Sequence, residues 1–190
     1  MVQFRALICV LVGTLLAINW RVSHSRSITI RIPESIDPNA IIRALHDQLA
    51  FIRLNPVITN IQEVPTDTAS YKDEWFQPVE TRHPIKSYML TSSITIIPGI
   101  GPRGKKHFQF QTWLGNTDSG VRTRADAPFG VSVESQWTVQ YNAASGEEGW
   151  IMVVDRTVKC AWWLMPYVAH TYDGVHASVG RDLVMLDSPH

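Results

Sequence analysis

Between Val57 and Val158 every strong periodic signal is that of a β-strand bounded by turn residues, and after Leu164 the period becomes helical. This run followed by a switch restricts the possible folds more than any other feature. Six strand segments are expected: Val57 to Val64, Tyr71 to Thr81, Lys86 to Ile97, Lys105 to Leu114, Gly120 to Ala125 continuing after Pro128 into Val131 to Tyr141, and Trp150 to Val158. The breaks between them, such as Asn116-Thr117-Asp118-Ser119-Gly120 and Asn142-Ala143-Ala144-Ser145-Gly146, have hairpin length. Parallel strands need longer crossovers, so the sheet is antiparallel.

Helices bracket this sheet. Ile28, Ile30 and Ile32 alternate as one face of an early strand that Pro33 ends. Asp37-Pro38 then reads as an N-cap followed by proline in the first helical position, with Ile41, Leu45, Leu49 and Ile52 on one helical face. Asn55, before Pro56, is pushed out of the α region and stops that helix by Leu54. At the other end Leu164, Val168, Tyr172, Val175, Val179, Leu183 and Leu186 form an apolar stripe of about six turns, weakened by Gly174 and Gly180. The class is α+β. A helix, a run of antiparallel strands and a long closing helix is the element order of a helix-grip fold, a curved sheet around its C-terminal helix.

The chain has 190 residues, 45% of them hydrophobic, enough for one domain with a sizeable core. Lys plus Arg and Asp plus Glu both number 17, with no asymmetry between the halves, which argues against a nucleic-acid partner. The two cysteines, Cys9 and Cys160, support neither a disulfide framework nor a cysteine metal site. Residues 1–24 form a unit of their own, carrying the apolar run Ala6 to Ile18, and residues 25–190 form the domain. The run reads as a membrane anchor, a cleaved signal or a simple extension. Trp20-Arg21 suits an interfacial anchor through residues 6–20, and the denser positive charge after the run (Arg21, Arg26, Arg31) favours a cytoplasmic domain at the endoplasmic reticulum. Secretion after signal cleavage is the alternative.

Leu54-Asn55-Pro56 closing the first helix, the Pro98-Gly99 turn with Gly104-Lys105 after it, Ala127-Pro128-x-Gly130-Val131 leading to Trp137-x-Val139, and the helix after Cys160 resemble a fungal group within the START-like, polyketide-cyclase-like helix-grip superfamily. The resemblance spans about Ser25 to the C-terminus. It implies a ligand cavity, and it is similar in kind to cofactor-free fungal enzymes that guide Diels-Alder cyclisations of terpenoids in secondary metabolism.

Gly99-x-Gly101-x-x-Gly104 matches a dinucleotide fingerprint only as a string, because a strand rather than a helix follows it. His170 and His176, six apart on the last helix, do not share a face and have no third metal ligand nearby. No nucleophile elbow is present. Strand parity gives the remaining candidates. Val131, Val133, Ser135, Trp137, Val139 and Tyr141 share one inward face; Tyr88, Leu90, Ser92, Ile94 and Ile96 share another; Phe108, Phe110, Thr112 and Leu114 a third. Most such residues are ordinary core. Hydroxyls among them can nevertheless orient a carbonyl-bearing ligand.

The expected hydrogen-bond donors to a reacting ligand are Tyr88, Ser135, Tyr141 and His170. The expected substrate-binding residues are Phe108, Phe110, Thr112, Trp137, Trp163, Tyr167 and Tyr172. Two functions follow. One is a cyclase, of Diels-Alder type, acting on an apolar terpenoid or polyketide without metal, cofactor or covalent intermediate. The other is a carrier that binds a lipid, sterol or terpenoid without changing it.

Overall fold

The computed structural model describes residues 20–67, 73–77, 84–95, 105–143 and 148–186. Seven strands form one antiparallel sheet: β1 (Arg21–Arg31), β2 (Ile58–Val64), β3 (Lys86–Thr95), β4 (Lys105–Thr117), β5 (Gly120–Ala127), β6 (Val131–Asn142) and β7 (Gly149–Ala161). Their order across the sheet is β1-β7-β6-β5-β4-β3-β2. Strands β2 to β7 follow one another as a meander, and β1 pairs with β7 along its whole length, from Arg21↔Ala161 to Arg31↔Ile151. Helices α1 (Pro38–His46), α2 (Gln48–Arg53) and α3 (Met165–Leu186) complete the fold. This is the expected α+β helix-grip architecture.

The first helix starts as its sequence requires. Asp37 sits in extended backbone and its carboxylate accepts the Asn39 amide at 2.9 Å, with Pro38 in the first turn. The single helix expected to Leu54 is broken in two at Asp47. That residue closes α1 and caps α2, its side chain accepting the Ala50 amide at 3.1 Å. An internal Asp offers the backbone an alternative hydrogen bond, which is why the apolar period continued while the helix did not. Leu49, placed on the buried face by periodicity, is exposed as a result.

Three strand expectations change. Residues 73–77 form a turn rather than part of a strand, and the remainder of Tyr71 to Thr81 lies outside the described residues. In that turn Asp73 accepts the Trp75 amide at 2.9 Å, so side-chain turn chemistry overrides the local β-propensity. The segment expected to continue through Pro128 is a hairpin: a 3-10 turn at Pro128–Gly130 folds β6 back onto β5. The first strand starts at Arg21, seven residues before the first of the alternating isoleucines, because its early side chains are mostly exposed and leave no apolar signal. The Gly-rich segment at 99–104 and the apolar run at 6–18 lie outside the described residues. Among those described, no helix is long and apolar enough to cross a membrane.

The inner face of the sheet carries the core. Tyr88, Leu90, Leu114, Val121, Val133, Trp137, Val139, Met152, Val154 and Val158 are buried, covered by Ile41, Leu45, Phe51 and Ile52 of α1 and α2 and by Val168, Val179, Leu183 and Val184 of α3. The chain approaches itself closely at Gly120, where a Cβ would stand 2.0 Å from the Trp137 carbonyl oxygen. Only glycine permits that contact.

Candidate functional site

Between α3, α2 and the curled sheet lies a cavity of ≈ 430 Å³. Strand alternation supplies one wall: Phe108, Phe110 and Thr112 from β4, Val131, Val133, Ser135 and Trp137 from β6, with Leu90 and Ser92 from β3. Helix α2 gives Phe51 and Ile52, and α3 gives Tyr167, Val168, Tyr172, Val175, His176 and Val179 on successive turns of one face. Phe129 and Tyr167 line the cavity and are also exposed, so they mark its mouth. A volume in this range fits a compact small molecule, and the lining is overwhelmingly apolar.

The polar groups of this interior are few. Ser135 Oγ lies 3.1 Å from His176 Nε2, while His176 Nδ1 lies 2.9 Å from the Tyr172 carbonyl oxygen. A carbonyl only accepts, so Nδ1 carries the hydrogen and donates it. Nε2 is then a lone pair, and the Ser135 hydroxyl donates to it. The imidazole stacks on Trp137 and touches the Tyr172 ring. Burial pushes its pKa down to about 4, with the nearby Arg156 charge acting the same way, so His176 is neutral at neutral pH. Burial likewise pushes the Tyr172 phenol up to about 12 and keeps it a donor. Ser92 presents a buried hydroxyl with no hydrogen-bond partner among the described residues. Thr112 is spent locally, donating to the Arg124 carbonyl at 2.8 Å.

Behind the Ser135–His176 pair sits a buried cation. Arg156 on β7 is directly opposite Ser135 on β6, and its side chain is 2% exposed. It pairs with Asp173 of α3, which also holds Arg26 of β1, so one carboxylate joins the helix to two strands. Burial raises the Asp173 pKa, but hydrogen bonds from Arg156 and Arg26 outweigh it and leave the carboxyl below its usual range.

Of the expected residues, Ser135, Phe108, Phe110, Thr112, Trp137, Tyr167 and Tyr172 line this one cavity. Four do not. Tyr88 is buried beside the cavity in the core beneath α1 and α2, where its hydroxyl donates to Gln48 Oε1 at 3.0 Å. Parity placed it on the inner face correctly, but the helix that covers it there leaves no room for a ligand. Tyr141, on the same face as Ser135, lies past the covered part of β6; it is exposed and packs edge-on against Trp150. His170 is exposed on α3, on the far side from the stripe that faces the sheet. Trp163 is exposed in the turn between β7 and α3.

His176, which the sequence offers only as a candidate metal ligand, is the polar centre of the cavity. The signal was available, since it stands four residues after Tyr172 and three before Val179, on the same helical face. Arg156 and Asp173 gave no comparable signal, because nothing local shows that a charged residue will be buried by an element distant in sequence.

The family described as Domain of unknown function (DUF7053) matches residues 21–187. No curated protein matches the sequence. Among solved structures, the Zhui aromatase/cyclase from Streptomyces sp. R1128 superposes with a TM-score of 0.52 at 9% identity, covering 86% of this chain and 94% of that one. A protein of Thermus thermophilus does so at 0.48 and 12% identity, over 89% and 100% of the two chains. Ara h 8.0201 does so at 0.48 and 13% identity, over 87% and 99%. At 9% identity the likeness to the aromatase/cyclase is one of fold.

Proposed function

The chain belongs to the DUF7053 family, and from its cavity we propose that it is a cofactor-free cyclase of natural-product metabolism, folding an apolar, carbonyl-bearing terpenoid or polyketide into the conformer that closes a ring. Diels-Alder-type cycloaddition is the reaction best suited to the groups present. One observation carries this reading: the polar groups meeting in the cavity, Ser135, His176 and Tyr172, are all uncharged near neutral pH. An imidazole with a pKa of about 4 is a weak base, and a phenol at about 12 is a weak acid. Cycloaddition transfers no proton. It needs the reacting carbons held in near-attack geometry and a hydrogen bond to the carbonyl that activates the dienophile. Tyr172, which lines the cavity and keeps its phenolic hydrogen, can supply that bond, and the apolar wall supplies the geometry.

A non-catalytic carrier for a lipid, sterol or terpenoid is the second reading, favoured by the open, apolar mouth at Phe129 and Tyr167. One experiment separates the two. The purified full chain is incubated with a linear precursor bearing a conjugated diene and an enone, and rate and diastereomer ratio are compared with buffer alone. A changed ratio, weakened by Tyr172→Phe, supports the cyclase. A ratio and rate identical to buffer reject it, and native mass spectrometry showing the unchanged precursor retained then supports the carrier.

A further inference from the structure

Five large aromatic side chains stand exposed at one end of the sheet: Trp20, Phe129, Trp162, Trp163 and Tyr167. The topology gathers them. Trp20 precedes β1 and Trp162 follows β7, and the Trp162 amide donates to the Trp20 carbonyl at 2.9 Å. Arg21 reaches the carbonyl of Gly130, the residue after Phe129. The Phe129 ring meets Phe108 edge-on at 5.8 Å, and Phe108, Phe129 and Tyr167 all line the cavity. The patch is therefore the rim of the cavity mouth.

This rim is unusual in two respects. Phe129 is 70% exposed and holds a positive φ of 62°, so an apolar side chain is turned to solvent in a backbone conformation that non-glycine residues rarely adopt. Positive charge also accompanies the aromatics: Lys105 and Lys106 are exposed at the start of β4, and Arg21 stands at the start of β1. The nearby carboxylates are already engaged, Asp126 with Arg124 and Ser132, and Glu134 with Lys159. In sequence, the apolar stretch at 6–18 ends two residues before Trp20 and joins the domain at this rim.

We infer that the rim docks on a lipid bilayer, with its Trp, Tyr and Phe side chains at headgroup depth, Lys105, Lys106 and Arg21 against lipid phosphates, and the cavity mouth facing the membrane. Tryptophan and tyrosine flanked by Lys and Arg are the side chains that settle at a bilayer interface. A bilayer accepts the 6–18 stretch at the same point, which a folded protein partner does not require. An apolar ligand then passes between bilayer and cavity without crossing water. The inference stands whether the ligand is transformed or only carried.

Hydrogen exchange on the full chain tests it, with phosphatidylcholine vesicles containing or lacking phosphatidylserine. Binding is expected to slow exchange at residues 128–131 and 161–167, more with phosphatidylserine, and to leave residues 117–120 and 148–151 at the opposite end unchanged. Phe129→Ser combined with Trp163→Ser, checked for folding by circular dichroism, is expected to weaken partitioning by about tenfold. Protection confined to residues 1–19 overturns the inference, as does equal protection at both ends or the absence of binding. A rim already protected without vesicles and unchanged by them also overturns it, because the N-terminal segment then covers the rim itself.

Discussion

Trp137 and His176 lie nearly face to face, ring centroids 5.6 Å apart and planes 18° from parallel. An indole face favours a cation by about 1 kcal/mol. Burial opposes it more strongly and lowers the imidazole pKa from 6.5 to about 4. The stack therefore holds a neutral ring in position, and its neutrality leaves Nε2 free to accept from Ser135.

That depression has a signed consequence. The unfolded chain binds a proton at His176 between pH 6.5 and about 4 and the folded chain does not, so this contribution to stability is complete above pH 6.5 and is lost as pH falls to about 4. The loss is on the order of 3 kcal/mol. Urea midpoints at pH 7 and pH 4.5 should differ more for the parent than for His176→Gln. Equal differences would show that His176 is not held neutral by the fold.

Tyr172→Phe removes the phenolic hydroxyl from the cavity wall and leaves the ring. Binding of a carbonyl-bearing apolar ligand should weaken by about five- to tenfold, the value of one neutral hydrogen bond, while a hydrocarbon of the same shape binds unchanged. Competition against a fluorescent apolar probe measures both. Equal losses for the two ligands would assign Tyr172 a packing role only.

Asp173→Asn leaves Arg156 charged, buried and without its carboxylate, a loss of about 3 to 5 kcal/mol. Arg156→Met, which removes the charge as well as the pairing, should cost less. It should also raise the His176 pKa, because the Arg156 charge contributes to its depression. Denaturant titration gives the first comparison and the imidazole shifts in NMR spectra the second. The carboxyl's own pH effect is separate: its folded pKa is lowered, so its contribution is lost only as pH falls below about 3.8.

Two glycines should respond in opposite ways to alanine. Gly120→Ala places a methyl 2.0 Å from the Trp137 carbonyl oxygen, a backbone atom with no freedom to withdraw, and should destabilise by about 3 kcal/mol or more. At Gly174 of α3 a Cβ meets nothing within 4 Å, so Gly174→Ala should stabilise by roughly 0.5 to 1 kcal/mol through helix propensity. Thermal melting of both variants checks the pair.

The fold was legible because its signals are local and repeated: alternation along β3, β4, β6 and β7, the Asp37-Pro38 start, and the stripe of α3. Parity found the cavity wall at Ser135, Trp137, Phe108, Phe110 and Thr112 for the same reason. It did not separate Tyr88 from Ser135, because both face inward and only the placement of α1 and α2 decides which is packed over. Tyr141 shows the complementary failure, inward by parity yet beyond the covered part of its strand. The Asp173 bridge to Arg26 and Arg156 joins three elements far apart in the chain, and no periodicity reports a contact of that kind.

The pairing of β1 with β7 also sets an order of events. Ser25 and Thr157, bonded through their hydroxyls at 2.9 Å, are 132 residues apart, whereas β2 to β7 pair mainly with their neighbours in the chain. Loop-closure entropy delays distant contacts, and during synthesis β1 emerges long before its partner exists. The meander can therefore assemble while β1 waits as an unpaired edge. The sheet is complete only when the first strand made meets the last.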